Sequence, residues 1–113
     1  MLIFDRMLQH GTVREAIKEK LGSGSLPAQQ QSQAAAVLRH PLAMHSLSAH
    51  VLNTAQNVAI HDPSLSAALA DANSSDETIA SGGLTNLFNW IVQNWSQIAA
   101  IIAQVLAWFG IKA

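Results

Sequence analysis

Phe88 to Phe109 reads FNWIVQNWSQIAAIIAQVLAWF, inside a longer stretch, Thr78 to Ile111, of 34 residues without one Asp, Glu, Lys, Arg or His. Its apolar residues recur at helical spacing around most of the circumference. A continuous helix over the 22 quoted positions would be about 33 Å long, close to the roughly 30 Å hydrocarbon thickness of a bilayer. The expectation is one long apolar helix over Leu84 to Phe109 that contacts a membrane.

On a helical wheel, Asn86, Asn89, Gln93, Ser96, Gln97 and Gln104 fall in one stripe, while Leu87, Ile91, Trp95, Ile98, Ile101, Ile102, Val105 and Trp108 occupy the remaining arc. Amides facing lipid are costly, so Asn86, Asn89, Gln93, Gln97 and Gln104 are expected at helix–helix contacts. Trp90 and Trp108 lie about 27 Å apart on such a helix, and with Phe109 they suit the two membrane interfaces. Lys112 is the only nearby cation and places the C-terminus on the interior side. The competing reading is a core helix wrapped by protein in a soluble oligomer, because such helices are also apolar all round.

Working back from the tail, Gly82-Gly83 reads as a hinge. The pair and the hydrophobic peptide after it resemble, in those two residues alone, the double-glycine junction of exported bacteriocin precursors. The chain departs from that pattern in its 83 preceding residues and in the single cation of its tail. Ser74-Ser75-Asp76-Glu77 has capping-box spacing but leaves room for only a turn or so before the glycines.

Further upstream, Pro and Gly divide the chain into short helices. Asp62-Pro63 is an N-cap followed by a first-turn proline, starting a helix over Ser64 to Ala72. Pro41 starts another, on which Met44, Leu47, Val51, Ala55 and Val58 form an apolar stripe to Ile60. Ala28 to Arg39 is a helix by propensity, ending at His40-Pro41. Gly22-Ser23-Gly24-Ser25 reads as a linker. Thr12-Val13-Arg14-Glu15 has the capping-box form, so a helix is expected from Val13 to Gly22 with Val13, Ala16, Ile17 and Leu21 inward.

The fold class expected is all-α, with short Gly/Pro-punctuated helices followed by one long apolar C-terminal helix. Three segments result: a charged N-terminal helical segment (1–22), an Ala/Gln/Ser-rich helical region (23–81) and a hydrophobic C-terminal helix (82–113). The first apolar run is too short and too soon followed by charge to be a secretory signal.

Charged residues make up 12% of the 113, about half the usual share, and Ala, Ser, Gln and Asn take the places of Lys and Glu. Such a surface suits enclosure in an assembly. A net charge of −1 leaves no electrostatic footprint for nucleic acid, and the absence of Cys removes thiolate chemistry.

His40, His45, His50 and His61 form a loose series, yet residues five apart on a helix diverge by about 140°, so His45 and His50 cannot share a metal from one helix. There is no G-x-S-x-G elbow, S-x-x-K pair or glycine-rich phosphate loop. No enzyme activity, cofactor, metal or small-molecule substrate is expected. The function expected is a minor structural or anchoring subunit of a membrane-associated, multi-copy assembly, such as a lipid-containing virion or a bacterial envelope complex. Its partners would be copies of itself, other subunits and a lipid bilayer. The alternatives are a holin-like or toxin-like pore former with the amide stripe as lumen, and a soluble helical-bundle adaptor.

Overall fold

The structure is a computed structural model that describes residues 2–113. Its described residues form seven helices and no strand: α1 (Leu2–His10), α2 (Thr12–Gly22), α3 (Ala28–Leu38), α4 (Pro41–Ala59), α5 (Pro63–Ala72), α6 (Glu77–Gln93) and α7 (Trp95–Trp108). The all-α expectation holds. Most breaks fall where backbone chemistry demands them. Gly11, at φ 61°, turns the chain between α1 and α2, and Gly24, at φ 70°, does so before α3. Pro41 and Pro63 open α4 and α5, where a missing N–H costs nothing. The Asp62 carboxylate accepts from the Leu65 N–H at 3.1 Å, and Asp76 accepts from Thr78 and Ile79 at 2.9 and 3.3 Å. Both satisfy helix-start donors that would otherwise lack partners.

Two local expectations are corrected. Gly11, not Thr12, takes the cap position of α2, and no side chain caps it; Glu15 instead pairs with Lys18 at 3.4 Å on the exposed face. The second correction concerns Gly82 and Gly83, which do not act as a hinge. Once Asp76 has nucleated α6, the helix runs through both glycines to Gln93. Gly83 is buried because α5 passes against it so closely that a Cβ there would lie 2.3 Å from the Ala72 nitrogen and 2.6 Å from the Ala68 oxygen. Gly82 faces open space. One glycine is thus demanded by packing while its neighbour is not.

The largest correction is to the tail. Leu84 to Phe109 is not one helix: α6 ends at Gln93, Asn94 leaves helical geometry at φ −107°, ψ 38°, and α7 starts at Trp95. The two helices also choose different partners. α6 packs on α5 and α2, whereas α7 packs on α3 and α4. Of the seventeen- and fourteen-residue helices that result, the longer spans about 26 Å, and no helix of the described residues is long and apolar enough to cross a membrane.

A shared core joins the elements. Ile3 and Met7 of α1, Ile17 of α2, Val37 of α3, Leu47 and Val51 of α4, Leu87 and Ile91 of α6 and Ile98 and Ile102 of α7 are all buried within it. The charged N-terminal segment belongs to this packing. Arg6 reaches across to donate to the carbonyls of Ala72, at 2.7 Å, and Ser74, where α5 ends. Those carbonyls lack helical partners, and a guanidinium there also meets the negative end of the helix dipole. The radius of gyration, 13.6 Å, is near the roughly 13 Å of a compact chain of this size. Among the described residues α7 packs on α3 and α4 as part of the bundle.

The glycine pair gives a direct check. Gly83→Ala should destabilise the fold by about 1–3 kcal/mol or more, since the added methyl meets backbone that cannot rotate aside. Gly82→Ala should stabilise it by about 0.5–1 kcal/mol through helix propensity alone. Urea midpoints of the two variants against the parent read the contrast.

Candidate functional site

The break at Asn94 determines what the protein presents to its surroundings. The Asn94 side-chain amide donates to the Trp90 carbonyl at 2.9 Å, and its backbone N–H donates to the same oxygen at 2.9 Å. This double bond to one carbonyl closes α6. Trp95 then anchors the start of α7. Its indole N–H donates to Gln30 Oε1 of α3 at 3.1 Å, and the Lys20 ammonium of α2 lies 6.0 Å from the ring centroid. A buried indole needs such a partner.

From that anchor, Ile98, Ala99, Ile102, Val105 and Leu106 of α7 are buried. Each large side chain buried in this way contributes about 1.5–3 kcal/mol before the entropy of ordering is subtracted. The far end is closed by a Schellman turn. Gly110, at φ 66°, lets the Ile111 N–H reach the Leu106 carbonyl at 2.9 Å and its own N–H reach Ala107 at 3.1 Å. Ile111 packs back on the core.

With the isoleucine side covered, the amide stripe faces outward. Asn86, Asn89, Gln93, Gln97 and Gln104 are all exposed, and none bridges two helices of this chain. Asn86, Asn89 and Gln93 line one wall of an α5–α6 cleft of about 410 Å³ whose floor includes Trp90 and whose far wall holds Asp62 and Ser64. Gln97 and Gln104 lie apart from it on α7. The residues expected at membrane interfaces separate likewise. Trp90 is buried in the protein's own core, while Trp108 is 61% and Phe109 43% exposed, and Lys112 is exposed beside them. Trp108 leans on His50 of α4, with ring centroids 4.9 Å apart.

Charge is segregated over this surface. Between Pro27 and His61, which covers α3 and α4, the only charged residue is Arg39, and α7 has none. These three helices pack side by side, so their exposed residues form a side whose one charged residue is Arg39 and which presents Gln, Asn, Ala and Ser with Leu42, Trp108, His40 and His45 among them. The other charged side chains lie on α1 and α2, at the two ends of α5, at the start of α6 as Asp76 and Glu77, and at Lys112 beyond α7. Composition reveals that charge is scarce. Helix packing shows that the break at Asn94 adds uncharged α7 to α3 and α4, while the uncharged part of α6 lies against α5 and α2.

Among the described residues no three His, Asp or Glu side chains converge as metal ligands, and the ring contacts of His45 and His50 are with Phe4 and Trp108. The chain matches no protein-family model, no curated protein and no solved structure.

The double bond at the Trp90 carbonyl predicts that Asn94→Ala, which removes the side-chain half, costs about 1 kcal/mol of stability. Trp95→Phe should cost a similar amount or more by leaving the Gln30 amide without its indole donor. A Trp95→Phe, Gln30→Ala double-mutant cycle, followed by urea unfolding, isolates the pair.

Proposed function

We propose that this chain is a non-enzymatic structural or adaptor subunit that assembles in multiple copies through the charge-free side formed by α3, α4 and α7. The observation that carries the proposal is the segregation of charge around a core that already satisfies its own apolar side chains. Interface centres are depleted in charge, because a desolvated ion must find an opposite partner to offset the loss of water. A neutral surface of amides and small side chains meets no such obstacle.

The same chemistry favours a second copy as partner. A patch with net charge repels its own image across a two-fold axis, whereas Gln and Asn carry donors and acceptors in one group and can satisfy themselves in an isologous contact. This is the soluble-bundle reading among those drawn from the sequence, joined to the expectation of a multi-copy assembly. The membrane-spanning version lacks a helix able to carry it among the described residues.

A second reading rests on one observation, the exposed Trp108 and Phe109 beside Lys112 at the end of α7. An aromatic pair next to a cation suits the headgroup region of a bilayer, so the assembly could rest on a membrane by this edge without crossing it. Flotation with anionic liposomes distinguishes the two. Binding that is lost in Trp108→Ser, Phe109→Ser supports lipid contact, and absence of binding confines the function to protein–protein assembly. Release of an entrapped dye would point to the pore-forming reading instead.

Sedimentation velocity over a hundredfold range of concentration tests the assembly. The parent protein should shift to a larger species as concentration rises. Gln97→Glu, Gln104→Glu should weaken that association at least tenfold while leaving the circular dichroism unchanged, because both side chains are exposed on α7 and now repel their counterparts. A parent protein that stays monomeric throughout would sink the proposal.

A further inference from the structure

Trp90 and Trp95 are 9% and 7% exposed, yet only one of their indole N–H groups has an acceptor in the chain. Trp95 donates to Gln30. No group among the described residues accepts from Trp90 Nε1, and no side-chain nitrogen sealed from solvent is left without a partner. The Trp90 N–H therefore keeps an opening to solvent, and the α5–α6 cleft, which Trp90 lines, provides it. A donor on a side chain nine-tenths buried, facing a cleft and without a partner in the chain, is a group that an outside acceptor can satisfy.

The walls around that donor are polar. Asn86, Asn89 and Gln93 follow one another at spacings of three and four along about 10 Å of one face of α6. All three are exposed, and none of their amides is bonded to another described side chain or carbonyl. Ser64 and Asp62 stand opposite. One Asp62 oxygen is taken by the Leu65 N–H at 3.1 Å, which leaves the other to face the cleft. No Lys, Arg or His lines it.

This set of groups selects the chemistry of a ligand. An anion would meet the Asp62 carboxylate with no cation to offset the loss of water. An aromatic base would need a ring face to stack on, and Trp90 exposes too little of its ring to offer one. A hydroxyl both donates and accepts, so an array of hydroxyls answers the indole N–H, the carboxylate and the amides alike. We infer that the cleft binds a small neutral saccharide, with one ring hydroxyl accepting from the Trp90 indole and its neighbours bonded to Asn86 and Asn89. The volume of about 410 Å³ lies within the roughly 300–1,000 Å³ of small-ligand sites. Affinity rests on hydrogen bonds exchanged against water and is weak. The lining comes from α5, α6 and Asp62 just before α5, apart from α3, α4 and α7, so the inference stands whether or not the chain self-associates.

The three tryptophans give separate indole N–H resonances in NMR, and those of Trp95 and Trp108 serve as internal controls. Glucose, galactose, mannose and N-acetylglucosamine, titrated one at a time into the full chain, are the probes, with cyclohexanol as a ring bearing a single hydroxyl. At least one sugar should shift the Trp90 indole signal saturably, with an apparent Kd of about 10 mM or tighter, while the two control signals do not saturate with it. Cyclohexanol should bind about tenfold more weakly, and Asn86→Ala, Asn89→Ala should lower the sugar affinity by about the same factor, the loss expected of two hydrogen bonds. Absence of a saturable Trp90 shift with every one of the sugars would overturn the inference, as would equal affinity for cyclohexanol. Both are read on the parent protein and do not depend on a variant folding. An unaltered sugar affinity in the folded double variant would overturn it as well.

Discussion

The structure depends on where a 26-residue uncharged segment, Leu84 to Phe109, is allowed to hide its apolar face. As a single rod it would be about 39 Å long, as long as the 40 Å principal dimension of the whole molecule, and its two ends could not both lie against α-helical neighbours of nine to nineteen residues. The break at Asn94 resolves the mismatch. It converts one rod into two helices of ordinary length that can turn to different neighbours, α6 toward α5 and α2, α7 toward α3 and α4. The isoleucines that would have needed lipid or another protein are covered by this chain itself.

Two contacts make the remaining packing compatible with that break. α5 and α6 approach until the Gly83 Cα stands where a side chain would meet the backbone of Ala68 and Ala72, a spacing that small residues on both helices permit. Arg6 then crosses from α1 to the carbonyls at the end of α5, where Asn73 and Ser74 turn the chain back toward α6. A charged head, a central helical region and an apolar tail that look independent by composition are thereby drawn onto one core. The linker Gly22 to Ser25 remains an exposed turn, but Leu26 directly after it is buried, so the turn is short of being a tether.

The parts of this fold that were legible in the sequence are those controlled by local backbone chemistry. Pro41, Pro63, Asp62 and Gly24 act within a few residues, and the Met44, Leu47, Val51, Ala55 stripe needs only its own period to be read. Asn94 was hidden because the period runs straight through it: Leu87, Ile91, Trp95 and Ile98 are spaced four, four and three, as in an unbroken helix. The break follows from a hydrogen bond to the Trp90 carbonyl and from Gln30, 65 positions from Trp95. Gly83 was misread for the same kind of reason. A glycine pair signals a hinge or a close approach equally well, and the choice lies with Ala68 and Ala72 on another helix. The wheel correctly separated amides from isoleucines yet could not say which arc faced the protein, since both a lipid-bathed helix and a bundle helix have two unlike sides.

Turning the stripe outward changes what its amides can do. In a bilayer an Asn or Gln must find a partner or remain unsatisfied, so the same residues would drive association by the cost of exposure. On a hydrated surface water satisfies them, and association gains only the difference between water and partner bonds, about 0.5–1.5 kcal/mol each. The proposed contact through α3, α4 and α7 therefore cannot rest on amide bonds alone. It needs complementary shape and the apolar area of side chains such as Leu42, 76% exposed at the start of α4, and Trp108 at the end of α7. A surface of this kind holds weakly as a pair and firmly as a lattice, where each copy is restrained by several neighbours at once and small contact energies add. Under the proposed assembly, scarcity of charge, an internally satisfied core and modest single contacts act together in a subunit present in many copies.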